Sequence, residues 1–343
     1  MNRADFKMYS EINEVPSVFA KIDSNESQFQ AAIDLIKKHK PTNVVLVARG
    51  TSSNAGQLLK FLIEVELGLP VGIASPSTVS LYGARFVFED TLVFTLSQSG
   101  QSPDLIAVVS AAKDGGALVI SATNNGTSPL ATLAELHLDL SAGEEKAVAA
   151  TKSYSAELFV GLKLITSLKS DNIVNFPELI STTKENLQVD LSKTLAELDP
   201  TRPIVVIGRG YGFCNVRELA LKIQETSYIP VQGMTTSDYI HGPIATLSEA
   251  TQIFFISPSG TPSESLKDVA ARVRGAKSKV FWIGNGNFAL PSETVIPGGS
   301  LNSEAQSVVA DSVLMQLLTL DFAIKNGTNP DSPRGLQKVT LTK

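Results

Sequence analysis

The sequence is poor in the residues on which much enzyme chemistry depends. Its 343 residues include one cysteine, Cys214, and three histidines. A lone cysteine excludes an intrachain disulfide and any multi-cysteine metal site, and it suits a reducing compartment. No HExxH helix, Cys/His cluster or acidic cage occurs, so no metal is expected. Gly208-x-Gly210-x-Gly212 lacks the spacing of a dinucleotide fingerprint, and neither a GxSxG elbow nor a Walker loop is found. No cofactor is therefore expected. There is no basic block, since 29 Lys and Arg face 34 Asp and Glu for a net charge of −5. Nucleic acid and anionic membranes are poor partners for such a chain. No apolar run approaches the roughly 18–20 residues of a membrane span, and the charged start has no apolar signal core. These absences point to a cytoplasmic protein.

What is present reads as an ordinary globular composition, 43% hydrophobic and 18% charged, in a length that suits two domains or one large α/β unit. The most informative stretch is Thr91 to Asp104. Its first half is a short β-rich run of the kind a buried parallel strand shows. Its second half gathers Ser97, Gln98, Ser99, Gly100 and Ser102 ahead of Pro103 and Asp104, which suit a first helical turn. A strand end feeding a helix start leaves unpaired N–H groups at one spot, a ready anion site to which the serine hydroxyls can add. The same serines could instead cap the helix and shape a turn.

Strands expected at Val44–Ala48, Val71–Ala74, Thr91–Ser97, Ala117–Ser121 and Glu135–Leu140 alternate with helices of 10–15 residues. That alternation means βαβ crossovers and a parallel sheet. Helices are expected at Thr151–Ser167 and Pro177–Leu198, and the Pro-bracketed Asp199–Pro203 marks a boundary. The pattern then restarts. Ile204 to Gly210 echoes Val44 to Gly50, and Phe254 to Gly260 echoes Phe94 to Gly100, both at one offset (209 less 49 and 257 less 97, 160 residues each). A shared offset at two landmarks indicates a duplicated α/β domain. Pro258 stands where the first copy has Gln98, so one copy is expected to bind the anion and the other to support it. The expected organisation is an N-terminal arm over 1–24, a first domain over 25–170, a linker helix over 171–200, a second domain over 201–326 and a tail over 327–343. The tail is rich in turn residues, with Leu336, Val339 and Leu341 available for docking.

Among the histidines, His39 follows two lysines at a helix end, where a cation suits the dipole. His137 alternates with leucines on a short strand and reads as a solvated or edge position. His241 lies in the turn Ser237–Pro243, where an imidazole can be presented to a cleft. Upstream, Lys222 and Glu225 are spaced i,i+3 on one helical face. They are either a surface ion pair or a carboxylate base beside a cation.

Taken together, Ala48–Ser52, Leu96–Gly100, Ala147–Lys152, Leu221–Ile229, His241–Pro243 and Pro333–Thr340 resemble the sugar isomerase (SIS) family, and within it the isomerase half of glucosamine-6-phosphate synthases. The resemblance runs from about Tyr9 to Lys343. It implies two tandem SIS domains, each a parallel five-stranded sheet flanked by helices in a flavodoxin-like arrangement, followed by a C-terminal active-site tail. It implies that Ser97, Gln98, Ser99 and Ser102 hold a sugar phosphate, with Thr51 and Ser52 nearby, and that Val148 and Ala150 line the sugar chain. It further implies that Glu225 moves a proton between C1 and C2 and that Lys222 supports it. His241 would assist ring opening from the neighbouring subunit of a homodimer, and Lys338 would close over the open-chain sugar.

The chemistry so implied needs one carboxylate to move the proton and an amine able to form an imine. Two positions depart from the synthase pattern: Ala150 replaces a serine, and Gln337 replaces a small residue. The amidotransferase part that would supply ammonia is not seen. A stand-alone glucosamine-6-phosphate deaminase is therefore expected, converting glucosamine 6-phosphate to fructose 6-phosphate and ammonia. The alternatives are a deglycase or deaminase for another amino sugar phosphate (fructosyl-amino-acid 6-phosphate or galactosamine 6-phosphate), or a non-catalytic sugar-phosphate sensor.

Overall fold

A computed structural model describes residues 2–169, 174–259 and 264–338. Val339, Leu341 and Gly260, invoked above, lie outside the described residues, as does the expected boundary at 170 and 171. The chain opens with α1 (Lys7–Asn13), α2 (Val15–Ser24) and α3 (Glu26–His39), followed by β1 (Asn43–Val47) and α4 (Gly50–Leu62). Next come β2 (Val71–Ile73), α5 (Ser77–Ser80), β3 (Thr91–Ser97), α6 (Pro103–Asp114), β4 (Leu118–Thr123), α7 (Pro129–Leu133) and β5 (Leu136–Asp139). The long α8 (Lys152–Lys169) leads to α9 (Phe176–Asn186) and α10 (Ser192–Glu197). The second series is β6 (Ile204–Gly208), α11 (Phe213–Ser227), β7 (Val231–Thr235), α12 (Thr236–Ile240), β8 (Gln252–Ser257) and α13 (Glu264–Gly275). It closes with β9 (Lys279–Gly284), β10 (Thr294–Pro297) and α14 (Glu304–Lys325).

Two parallel five-stranded sheets result, ordered β2-β1-β3-β4-β5 and β10-β9-β8-β6-β7. Read from its β7 edge, the second sheet repeats the order of the first, 2-1-3-4-5. Even the register repeats at the 160-residue offset: Val47 faces Thr95, and Ile207 faces Phe255. All seven residues of β3 and all five of β6 are buried, which is why β6 reads as an apolar run and β3 as a mostly apolar one in which the Thr95 hydroxyl donates to the Val47 carbonyl.

The chain divides into two compact units. The first contains residues 17–145, α8 and the tail residues Gln337 and Lys338; the second contains residues 2–16, 146–151 and 175–336. The core of the first includes Val47, Val93, Val109, Val119 and Leu130, between β1, β3, β4 and the α6–α7 side. The core of the second includes Ile207, Phe255, Trp282, Tyr239 and Val273.

Several elements differ from expectation. The stretch expected to be a polar arm forms α1 and α2, because Met8, Ile12, Val15, Val18, Phe19 and Ile22 recur at helical spacing and are buried. The helix expected over Pro177–Leu198 breaks into α9 and α10, where the Asp190 carboxylate accepts the Ser192 N–H and hydroxyl and starts a new helix. The residue reading also passed over β7, whose Gln232 and Gly233 interrupt its apolar character. Finally, α14 is long and apolar enough to cross a membrane by composition alone, contrary to the reading that no run approached that length. In its most apolar window 94% is buried inside the protein, so it is a core helix.

Candidate active site

In an open parallel sheet of order 2-1-3-4-5, the two central strands send their connections to opposite faces, and a crevice opens at their carboxyl ends. In the first unit that switch point lies between β1 and β3, where the first turn of α4, with Arg49 as its N-cap, and the loop Ser97–Ser102 emerge. The loop is tightly specified. Gly100 has φ +65, and a Cβ there would come within 2.2 Å of the Ser128 hydroxyl, so only glycine fits. The hydroxyl oxygens of Ser97 and Ser99 accept the N–H groups of Gly100 (3.1 Å) and Gln101 (3.3 Å). They therefore do shape the turn, and each keeps a proton to donate. Ser102 is the N-cap of α6 without a side-chain cap bond, and Pro103 follows at the first helical position.

The first unit thus brings Ser97, Gln98, Ser99 and Ser102 together at the start of α6. Beside them, Asp104 accepts from Arg49 at 2.9 Å, joining the loop to the turn that carries the half-buried Thr51. Ser52 gives its proton to Glu157 of α8 at 2.7 Å. Lys338, on the tail, donates to the fully buried Glu145 carboxylate at 2.7 Å, which also receives the N–H and hydroxyl of Ser153.

In the second unit, Lys222 and Glu225 share a face of α11 as their spacing predicts. Lys222 is only 2% exposed and bridges Glu225 and Glu218, the latter at 3.5 Å. A buried ammonium between two carboxylates holds both in fixed rotamers, while Glu225 keeps partial access to solvent. Glu225, Gln224, Tyr228, Gln232, Arg334 and Leu336 are among the residues lining a cavity of about 850 Å³. Val148 and Ala150 lie on a short connection that is fastened by backbone contacts. Glu11 accepts the N–H groups of Lys146 and Ala147, Val148 donates to the Asp331 carbonyl at 3.1 Å, and Gln316 donates to the Thr151 carbonyl at 2.9 Å. His241 is exposed at the C-terminal end of α12, and its ring has no hydrogen-bond partner among the described residues. The edge position expected for His137 is found on β5, where its Nε2 lies 2.9 Å from the Thr123 hydroxyl.

A family model described as SIS domain matches residues 35–167 and 197–288, more than half of the chain. The chain belongs to the SIS domain family. The first matched segment contains the whole first sheet and the second contains four of the five strands of the second sheet, β6 to β9, so each sheet belongs to one SIS domain. Over 96% of its length the chain is 28% identical to the glutamine–fructose-6-phosphate aminotransferase [isomerizing] of Thermococcus kodakarensis, of which it covers 57%. It thus spans little more than half of that relative. Among solved structures, the C-terminal domain of glucosamine-fructose-6-phosphate aminotransferase from Francisella tularensis superposes with a TM-score of 0.83 at 21% identity, over 95% of this chain and 98% of that one. Glucosamine-6-phosphate deaminase from Thermotoga maritima gives 0.80 at 24%, over 98% and 100%. At these identities the structural likeness is one of fold.

Four partners of the candidate residues were missed by the residue reading. Glu218 was legible, since it precedes Lys222 by four residues on the same helix. Glu145, Asp104 and Glu11 find their partners only through the tertiary fold.

Proposed function

We propose that this protein catalyses the isomerising deamination of an amino sugar phosphate, with glucosamine 6-phosphate as substrate and fructose 6-phosphate and ammonia as products. The observation that carries the reading is Glu225, a partly exposed carboxylate held by the buried Lys222 at the wall of a large cavity. In the open-chain sugar, Glu225 takes the proton from C2 and returns it to C1, which moves the carbonyl oxidation level to C2 as an imine. Water adds to that imine and ammonia leaves. The same base serves the reverse direction, so fructose 6-phosphate and ammonium are substrates under synthetic conditions. Ser97, Gln98, Ser99 and Ser102, with Thr51 and Ser52 nearby, hold the phosphate, while Val148 and Ala150 line the sugar chain. Lys338 closes over the sugar once released from Glu145.

The exposure of His241, whose ring has no hydrogen-bond partner among the described residues, supports its assignment to ring opening in the site of a second subunit. A homodimer and a cytoplasmic setting belong to the same proposal. A second reading, a deglycase for a fructosyl-amino-acid 6-phosphate, uses the same base at the same cavity, whose volume of about 850 Å³ lies in the range of small-ligand sites.

The test is ammonia release from glucosamine 6-phosphate, galactosamine 6-phosphate and a fructosyl-amino-acid 6-phosphate, with fructose 6-phosphate assayed in parallel. Equal yields of ammonia and fructose 6-phosphate from the first support the proposal, and Glu225→Gln abolishes turnover while leaving phosphate binding nearly intact. Tight binding without turnover of any of the three would replace it with a sugar-phosphate sensor.

A further inference from the structure

The end of α11 carries a residue that the roles above leave unused. Tyr228 caps the helix with φ +60 and ψ 27, the left-handed conformation that helix ends usually give to glycine. A bulky aromatic kept there points to a demand on its side chain that outweighs local strain. The partner is the C-terminal tail. The Arg334 guanidinium lies over the Tyr228 ring, 4.2 Å from its centroid, and the Arg334 N–H donates to the Tyr228 hydroxyl at 3.0 Å. Two residues before Tyr228, the Thr226 carbonyl accepts the Thr328 hydroxyl at 2.6 Å. The tail is thus fastened to one helix end at residues 328 and 334. Glu225 occupies the same last turn, and Glu225, Tyr228, Arg334 and Leu336 line one cavity.

We infer that Tyr228 and Arg334 form a latch that holds the tail as a wall of the Glu225 cavity and fixes the geometry around Glu225 for turnover. Both are positioning residues, since neither has to touch a reacting atom. The guanidinium lies over the ring, a contact that needs a cation and a π-face together. The tyrosine hydroxyl then sets the height of the backbone at Arg334. The part of the inference that concerns turnover rests on the proposed role of Glu225; the latch itself does not.

Four variants of the full-length chain separate these claims. Tyr228→Gly removes the ring while giving the left-handed position its natural occupant, so the helix end survives. Tyr228→Phe removes only the hydroxyl, Arg334→Ala removes the cation, and Arg334→Lys restores it. Amide hydrogen exchange over residues 328–338 is expected to quicken roughly tenfold in Tyr228→Gly and Arg334→Ala, less in Tyr228→Phe, and least in Arg334→Lys. With glucosamine 6-phosphate, kcat should fall about tenfold in the same order while KM moves by less than about threefold. Unchanged exchange in Tyr228→Gly and Arg334→Ala would eliminate the latch. Faster exchange with wild-type kcat would leave a tether without a positioning role. If the wild-type chain turns over no amino sugar phosphate, the proposed function fails, and the exchange data still decide whether the latch exists.

Discussion

The two SIS domains share strand order and register, and they part company at the switch point. In the first, the turn after β1 offers Thr51 and Ser52, and the loop after β3 offers three serines and Gln98. In the second, the corresponding turn reads Tyr211-Gly212-Phe213, and Pro258 stands in for Gln98. The Ser259 hydroxyl is turned to the Gly299 carbonyl at 3.4 Å. The helix after the fifth strand also changes sign at its first residue, from Lys152 in α8 to Glu304 in α14. Glu304 accepts the backbone N–H of Tyr211, so the turn that could greet an anion already holds a carboxylate of its own. A fold can therefore be copied through its apolar strands while the side chains of its loops diverge.

The sharpest way to break this comparison is at the glycines. Gly100→Ala puts a methyl 2.2 Å from the Ser128 hydroxyl at φ +65. It should lower stability by about 2–3 kcal/mol and weaken sugar-phosphate binding more than a hundredfold. Gly210→Ala, at φ +60 with its nearest neighbour at 3.2 Å, should cost about 1 kcal/mol and leave that binding unchanged. Urea denaturation and titration calorimetry read both. Equal losses of binding in the two variants would mean that both switch points take ligand.

Serine deletions come next. Ser97→Ala or Ser99→Ala should weaken binding about tenfold each, whereas Ser257→Ala and Ser259→Ala should change it less than about twofold. The smallest effect concerns pH. Burial pushes the Glu304 carboxyl up to about 7, with the Tyr211 N–H opposing the shift. Between its ordinary value near 4.5 and 7 the folded chain holds a proton that the unfolded chain releases. Glu304 thus contributes stability that is complete below 4.5 and lost as pH rises through 7. Its partial exposure keeps this near ~1 kcal/mol. Denaturation midpoints of Glu304→Gln should slope less between pH 5 and 8 than those of the wild type, and an identical slope would remove Glu304 as their cause.

Much of this was legible in the chain. The offset between Arg49 and Arg209 announced the duplication, because apolar strands and turn glycines must recur wherever the fold recurs. The Ser97–Ser102 loop was legible as a strand-to-helix junction, because hydroxyl residues that shape a turn precede Pro103 at a helix start. The helices α1 and α2 were hidden by charged residues that decorate their solvent faces. The partners Glu145 of Lys338 and Asp104 of Arg49 were hidden because ion pairs far apart in sequence leave no periodic trace. Tyr228 escaped notice for a different reason: a left-handed cap is normally advertised by glycine, and here an aromatic ring occupies it.

The Asp331 carboxylate accepts the N–H groups of Lys7 and Met8, both at 2.8 Å, three residues before Arg334. The start of α1 and the base of the tail are therefore mechanically in series. Tension applied near the amino end, by a tag, a fused domain or an antibody, would be delivered to the segment that walls the Glu225 cavity without anything approaching that cavity.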